Sequence, residues 1–172
     1  DSFSDGGNYV HQETAVERVI QMISEGAAII DIGGESTRPG ADAVSIDEEC
    51  QRVIPIIQAI RKETDIHISI DTSNAEVMED AVTAAASMIN DVNALRAKDA
   101  LSSAAKLYVP VCIMHMQGQP RSMQHKPVYD DVVKEIKDFL NERITACVDA
   151  GIKHENIIVD PGFGFGKTLE HN

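Results

Sequence analysis

Hydrophobic residues follow two patterns along the chain, short continuous runs and longer stretches with a helical period. Short apolar runs without polar alternation are typical of strands buried on both faces, as in a parallel sheet. Apolar residues spaced three and four apart are typical of amphipathic helices. The predicted strands cover 27–32, 67–72, 88–92, 110–116 and 156–162, and the predicted helices cover 12–25, 45–63, 73–86, 98–107 and 130–150. This alternation predicts an α/β fold with a parallel sheet.

Turn and capping residues support several of these boundaries. Gly26 and Gly151 follow the first and last helix, where a glycine commonly ends a helix. Ser45–Glu48 and Ser73–Glu76 have the spacing of a capping box and predict two helix starts. Pro55 lies inside the second helix and is expected to kink or split it, because proline lacks the N–H that a helix interior uses. The first eight residues are predicted to be a loop.

Polar residues lie at or near the ends of the predicted strands, where parallel α/β folds place their active sites. They are Asp31, Asp71, Asn90, His115 and Asp160. No strand opens a GxGxxG turn, which favours a (β/α)8 TIM barrel over a doubly wound sheet. A barrel takes about 250 residues, and both ends of the chain look cut. We therefore expect one barrel domain over 1–172, truncated at both ends, with about strands 2 to 6 present.

Composition and charge narrow the function. Apolar content is 43% and charged content 25%, which is ordinary for a soluble globular protein, and no apolar run is long enough for a membrane span. A formal net charge of −13 argues against a nucleic-acid surface but leaves an anionic small ligand open. Cys50, Cys112 and Cys147 have no metal-binding spacing and are expected to be reduced thiols, which predicts a cytoplasmic protein.

Two glycine-rich loops follow strands. Gly33 and Gly34 open the first, where backbone N–H groups can approach a ligand and Arg38 offers a planar cation; an ordinary loop with a surface arginine is an equal alternative. The second loop, DPGFGFGKT, is not a nucleotide-phosphate loop, because Pro161 occupies the position of the required first glycine. Its glycines still allow Asp160 and Phe165 to approach a ligand.

Asp71, Asn90 and Asp160 come from three strands and would converge at a barrel mouth. Two carboxylates and an amide suit a flat heterocycle with a guanidine-like N–C–N edge, because a carboxylate accepts from two adjacent N–H groups. A purely structural trio remains an alternative. Asp31 is expected to bond loop amides, and His115 to have a core or supporting role rather than a ligand role.

Six motifs, in order, carry a resemblance to a known family: DSFSDGG, DIGGESTRPGA, SIDTS, INDVNAL, MHMQGQPRSM and DPGFGFGKT. Together they resemble dihydropteroate synthase of the bacterial type, within the pterin-binding family. The resemblance implies a (β/α)8 barrel that joins 6-hydroxymethyl-7,8-dihydropterin diphosphate to p-aminobenzoate and releases diphosphate, a step of folate synthesis. Sulfonamides bind such enzymes as mimics of p-aminobenzoate.

The resemblance also implies roles for individual residues. Asp71, Asn90 and Asp160 would hold the pterin, with Met114 and Phe165 lining its pocket. Thr37 would meet the diphosphate, and two mobile loops carrying Phe3, Asp5, Arg38 and Pro39 would close over the p-aminobenzoate. The implied catalytic residues are Asp71, Asp5 and Arg38.

The implied chemistry needs no protein nucleophile. Departure of diphosphate leaves a delocalised cation on the pterin, which nearby carboxylates such as Asp71 stabilise before the aromatic amine attacks. Mg²⁺ and cationic donors would stabilise the leaving group, and loop closure would exclude water. This agrees with the lack of any Ser-His or Cys-His signature.

Several family features are expected outside this sequence. They are an Asn before residue 1 that binds Mg²⁺, a later Lys, a final Arg and His, and the late helices of the homodimer that the resemblance implies. Two alternatives stay open, a pterin-dependent methyltransferase domain and a non-catalytic pterin-binding fragment. The STRPG loop argues against the methyltransferase. We expect the isolated 172 residues to be marginally stable and inactive, because an open barrel leaves sheet edges exposed.

Overall fold

The computed structural model describes residues 5–35, 44–118, 123 and 127–172, with side chains from residue 12 onward. The strands are β1 (Ile29–Gly33), β2 (His67–Asp71), β3 (Met88–Asp91), β4 (Val111–Met114) and β5 (Ile157–Asp160). The helices are α1 (Asp5–Ser24), α2 (Ile46–Glu63), α3 (Ala75–Thr83), α4 (Ala100–Leu107) and α5 (Val132–Asp149), and a single 3₁₀ turn, His154–Asn156, precedes β5. The predicted order of elements is therefore confirmed.

All five strands are parallel and lie in the sheet in the order of the sequence, β1-β2-β3-β4-β5. A doubly wound sheet reverses its strand order at a switch point, whereas a barrel adds each strand beside the previous one. The sequential order therefore confirms the barrel class. Five strands are fewer than the eight that close such a barrel, so the described sheet is an open arc.

The outward face of the arc forms the hydrophobic core. Ile68, Ile70 and Ile89 are completely buried there, together with Val111 and Ile113. They pack against helical residues such as Val53, Ile57, Val77, Met78 and Ala104. Because side chains alternate along a strand, this packing assigns the neighbouring positions Asp31, Ser69, Asp71, Asn90 and Cys112 to the inward face. The core thus holds the strands while their other face is left for polar groups.

The two predicted capping boxes have different outcomes. Ser45 caps α2, since its Oγ accepts from the backbone N–H of Glu48 at 3.3 Å, as predicted. The start predicted at Ser73 is wrong, because Asn74 is the N-cap of α3 and makes no side-chain cap bond. The Ser73 hydroxyl instead donates to Asp91 Oδ1 at 2.5 Å. A buried carboxylate on the adjacent strand competes successfully for the hydroxyl that the capping pattern assigns to the helix.

Two further predictions about helices need correction. The helix α2 continues through Pro55 without being split, because Val53, Ile57 and Ile60 are buried along it and hold its turns on the sheet; the alternative of a kink at Pro55 stays a prediction. The helix α1 begins at Asp5 rather than after residue 11, so the loop predicted for 1–8 ends earlier. An acidic residue is common in the first turn of a helix because the helix dipole is positive there. None of the described helices is both long and apolar enough to cross a membrane.

Candidate active site

The strand register brings the predicted polar residues together on the inward face. Asp71 lies opposite Asn90 in the β2–β3 pairing and opposite Gly33 in the β1–β2 pairing. On the other side, Met114 lies opposite Asp160. Asn90 also lies opposite Cys112, which bridges the two groups. The predicted convergence of Asp71, Asn90 and Asp160 at the carboxyl ends of the strands is therefore what the described sheet shows.

Asp31 belongs to this polar group. Its Oδ2 accepts from the side-chain amide of Asn90 at 3.2 Å, across the intervening strand β2. Most of the loop after β1, residues 36–43, lies outside the described residues, so the expectation that Asp31 bonds loop amides stays a prediction. The bond uses one N–H of the Asn90 amide and fixes the direction in which its carbonyl oxygen points.

Asp71 has an unusual electrostatic environment. Burial, followed by the negative charge of Asp31 and then those of Asp91, Glu49 and Glu35, raises the pKa of Asp71 to about 7. A carboxyl in such surroundings favours any ligand that brings N–H donors or positive charge, because the ligand removes the cost of the buried charge. Strongly perturbed pKa values of this kind are common at functional sites.

Asp91 follows Asn90 in sequence but points to the opposite face of β3. It is completely buried and accepts from Ser73 Oγ, from the N–H of Asn93 at 2.8 Å and from the N–H of Leu95 at 2.7 Å. Burial raises the pKa of Asp91, and these hydrogen bonds act against that rise. The residue therefore fixes the turn after β3, while Asn90 is left to face the site.

A buried glutamate that the sequence analysis did not identify supports the first glycine loop. Glu49 is 1% exposed and its Oε2 accepts from the side chain of Asn74 at 2.6 Å. A Cβ on Gly34 would lie 2.8 Å from the Cγ of Glu49, so only glycine fits there. Arg52 Nη1 donates to the carbonyl of Gly34 at 2.8 Å. The exit of β1 is thus fastened to α2, and no pattern in the sequence distinguishes Glu49 from other first-turn acids.

The loop after β5 packs tightly on the residues that follow β4. A Cβ on Gly162 would lie 2.0 Å from the carbonyl oxygen of His115, and one on Gly166 would lie 2.4 Å from that of Gln117. Both glycines have positive φ, +71° and +61°. The N–H of Gly162 donates to Asp160 Oδ1 at 2.7 Å. The glycines therefore serve close backbone packing that orients the Asp160 carboxylate.

Lys167 is the last residue of this loop and is 4% exposed. Its Nζ is 2.9 Å from the carbonyl oxygen of Gly162, 3.1 Å from that of Phe165, 3.2 Å from that of His115 and 3.1 Å from His115 Nδ1. Burial lowers the pKa of Lys167 to about 8. The ammonium group is thus directed into the protein, in agreement with the rejection of a phosphate-loop role.

His115 has the core role predicted for it. Burial, and next the positive charge of Lys167, lowers its pKa to about 4, so the imidazole is neutral at pH 7. Its ring contacts Phe139 edge to face at a centroid distance of 5.1 Å and lies 6.1 Å from the ring of Tyr129. Neutral His115 can therefore accept a hydrogen bond from Lys167.

An apolar patch lies beside Asp160. Met114 is 4% exposed and belongs to a small cluster with Val92, Met116 and Met123, against which Phe165 packs. Methionine is polarisable and adapts its shape to an aromatic ring. Met114 and Phe165 are therefore brought together as predicted, next to the polar trio.

The remaining predicted site residues have side chains outside the described part of the chain. Phe3, Thr37, Arg38 and Pro39 lie outside the described residues. Asp5 lies in α1, but its side chain is outside the described part. The described site thus consists of Asp31, Asp71, Asn90, Met114, Asp160 and Phe165, with Glu49, His115 and Lys167 behind them.

This arrangement matches known proteins over the whole chain. The model of the pterin binding enzyme family matches residues 1–172. The chain is 53% identical over 172 residues to a dihydropteroate synthase of Haemophilus influenzae and 51% identical to one of Escherichia coli. All of this chain is aligned in both cases, with 62% and 61% of the respective relative. The chain therefore spans about three fifths of the length of these relatives.

Solved structures give the same result. The chain superposes on Yersinia pestis dihydropteroate synthase in a sulfonamide drug complex with a TM-score of 0.93 and 50% identity, covering all of this chain and 62% of that one. It superposes on the Xanthomonas albilineans dihydropteroate synthase with 4-aminobenzoic acid with a TM-score of 0.89 and 51% identity, covering 100% and 61%. By its sequence, its strand order and its site, the chain belongs to the pterin binding enzyme family.

Proposed function

We propose that the protein carrying this chain is a dihydropteroate synthase, a transferase of folate synthesis. It joins 6-hydroxymethyl-7,8-dihydropterin diphosphate to p-aminobenzoate and releases diphosphate. The observation that carries the proposal is the convergence of Asp71, Asn90 and Asp160 beside the apolar patch of Met114 and Phe165. Relatives and solved structures named dihydropteroate synthase support it.

The pterin is recognised by its N–H donors and its flat ring. In this proposal Asp71 and Asp160 accept from the donors of the pterin, and the carbonyl oxygen of Asn90 accepts a further one. The bond from Asn90 to Asp31 selects which end of the amide faces the ligand. Met114 and Phe165 contact the faces of the ring. A ligand without this donor pattern would leave carboxylates unpaired, which makes the site selective.

The reaction proceeds through charge that develops on the pterin. As the bond between the methylene carbon and the diphosphate oxygen breaks, positive charge spreads over the ring. The carboxylates of Asp71 and Asp31 stabilise that charge in surroundings of low polarity. The amine of p-aminobenzoate then forms a bond to the methylene carbon and loses a proton. We assign Thr37 to the diphosphate, Asp5 and Arg38 to catalysis, and Phe3 and Pro39, with Arg38, to the p-aminobenzoate side.

Mg²⁺ is a further component of the proposal, for the leaving diphosphate. The described residues, 5–35, 44–118, 123 and 127–172, contain no group of three His, Cys, Asp or Glu side chains that could hold a metal ion. These residues therefore offer no such group of ligands for the ion. We also propose a cytoplasmic homodimer and sulfonamide binding at the p-aminobenzoate site.

The experiment is to incubate the full-length protein that carries this chain with the pterin diphosphate, p-aminobenzoate and Mg²⁺. Dihydropteroate and diphosphate should form in equal amounts, and neither should form when p-aminobenzoate is omitted. A pterin-dependent methyltransferase would instead transfer a methyl group from a methylated folate. A non-catalytic pterin-binding protein would bind pterin without turnover. Either result would contradict the proposal.

A further inference from the structure

Lys167 has a contact pattern that the proposed reaction does not use. Lys167 is the one lysine that is buried among the described residues. Its ammonium group faces the carbonyl oxygens of Gly162, Phe165 and His115 and the ring of His115. Three N–H donors thus serve four acceptors, all at 3.2 Å or less. A lysine that met a substrate phosphate would need donors left over for it. Here the donors are directed at the protein.

The acceptors belong to two different segments. Gly162 and Phe165 lie in the loop after β5, whereas His115 follows β4. The ammonium group therefore joins the two segments at the point where Asp160 and Met114 are paired. Charged hydrogen bonds of this kind are stronger than neutral ones, particularly when buried.

Two independent observations show that the same two segments are fitted to each other. The glycines at 162 and 166 leave no space for a side chain against the carbonyls of His115 and Gln117. The Tyr129 hydroxyl donates to the carbonyl of Gly166 at 2.7 Å. The tyrosine ring also lies against His115 and, at 4.9 Å, against His171. The loop is thus fixed by the hydrogen bonds of Lys167 to Gly162 and Phe165 and by that of Tyr129 to Gly166.

We propose that Lys167 is a positioning residue for the pterin, which acts by fixing the loop 161–167 so that Asp160 and Phe165 keep their places beside Met114. This inference rests on the proposed function for the identity of the ligand. Lys167 itself touches no substrate. Its loss shifts a pterin carboxylate and a pterin ring contact together, and leaves the groups on β1, β2 and β3 unchanged.

The test compares Lys167→Met with the unmodified full-length protein. Methionine has a similar length but no charge and no donor. We expect the KM for the pterin diphosphate to rise about tenfold or more, because small displacements of binding groups have effects of this size. The KM for p-aminobenzoate should change less than twofold. Lys137→Met, which removes an exposed lysine of α5, is the matched control and should change neither value.

A lysine that serves only stability would give a different result. It would lower the fraction of folded protein and hence the apparent kcat, with both KM values unchanged, and that outcome would overturn the proposal. If Lys167→Met does not fold, Tyr129→Phe replaces it, since it removes only the bond to Gly166. It should raise the pterin KM alone, by a smaller factor; an unchanged pterin KM would equally overturn the proposal.

A titration with 6-hydroxymethylpterin separates this inference from the proposed function. If the unmodified protein binds the pterin but shows no turnover, the proposed reaction fails while the titration still tests Lys167. In that case the dissociation constant of the Lys167→Met variant should be about tenfold or more above that of the unmodified protein. Equal dissociation constants would overturn the positioning role.

Discussion

The two halves of the site are built on opposite physical principles. The carboxylate half consists of Asp31 in the middle of β1, Asp71 at the end of β2 and Asn90 near the end of β3, and several negative charges act on one another there. The loop half consists of Met114 and Asp160, which end β4 and β5, and of Phe165 and Lys167 in the loop after β5. There a buried cation has carbonyl and imidazole acceptors on all sides.

The two halves therefore differ in what their buried charge does. In the carboxylate half, burial and mutual repulsion make the negative charges unfavourable in the folded protein. A ligand with N–H donors relieves this repulsion, so the charges that destabilise the fold also favour binding. The loop half satisfies its own charge, so its cation contributes rigidity and no recognition. Substitutions in the first half should therefore trade binding for stability, and substitutions in the second should lose both.

The largest effect is expected for Asp71→Asn. We expect kcat/KM of the full-length protein to fall about a thousandfold, because asparagine cannot stabilise developing positive charge as a carboxylate does. Asp65→Asn is the matched control, since Asp65 is exposed and precedes the opposite end of the same strand, β2. Steady-state rates of diphosphate release give the comparison. An Asp71→Asn protein with near-normal turnover would contradict the role of Asp71.

The same variant should be more stable than the unmodified protein at pH 8. The pKa of Asp71 is raised to about 7 in the folded protein from 3.8, so the folded state binds the extra proton between these pH values. Its stability therefore falls as pH rises through this range, and the loss is complete above pH 7. Asparagine removes that loss. We expect the free energy of unfolding to increase by about 2 kcal/mol. This is less than the whole pKa shift would give at about 1.4 kcal/mol per pKa unit, because Asp71 keeps some solvent contact.

Denaturant unfolding at pH 4 and pH 8 measures this gain. The difference between Asp71→Asn and the unmodified protein should be small at pH 4 and present at pH 8. A gain of the same size at both pH values would mean that charge is not its cause.

The next largest effect is expected in the loop half, for Gly162→Ala compared with Gly164→Ala. Both glycines have positive φ, +71° and +80°, so alanine costs about 1–2 kcal/mol at either position. At Gly162 the new Cβ would also lie 2.0 Å from the backbone oxygen of His115, whereas at Gly164 it would have no atom of the described residues within 4 Å apart from its two chain neighbours. Gly162→Ala should therefore lose more stability, by about 1–3 kcal/mol, and should also raise the pterin KM. Denaturant midpoints and KM values test this, and equal losses for the two variants would contradict the tight packing of the loop.

The sequence predicts the features of each half that depend on local patterns, and it does not predict those that depend on contacts between residues far apart in the chain. The inward convergence of Asp71, Asn90 and Asp160 depends on strand alternation and parallel order, which local patterns reveal. The opposite orientation of Asp91 follows from the same alternation, but its partners Ser73 and Leu95 do not. Ser73 satisfies a capping pattern and yet bonds Asp91, because a buried carboxylate needs donors more than a helix start does.

Glu49 and Lys167 were not predicted because their roles depend on contacts between distant segments. Glu49 looks like any acid in a first helical turn, and Lys167 looks like a phosphate-loop lysine. Their burial is decided by where Gly34 and His115 lie in three dimensions. The sequence shows the glycines Gly34 and Gly162, but it does not show which residues they approach, Glu49 and His115.

The smallest expected effect is an acid-dependent loss of stability at His115. Its pKa is lowered to about 4 in the folded protein, below its ordinary value of 6.5, so the unfolded chain binds more protons between these values. The contribution of neutral His115 to stability is therefore complete above pH 6.5 and is lost as pH falls towards 4. The charged groups that act on it are Lys167, Arg96 and Glu135, and Tyr129 contacts its ring. His115→Gln, which keeps a neutral acceptor for Lys167, should flatten the pH dependence of the unfolding free energy between pH 4 and 6.5. An unchanged slope would show that His115 is not the group whose protonation loosens the loop half.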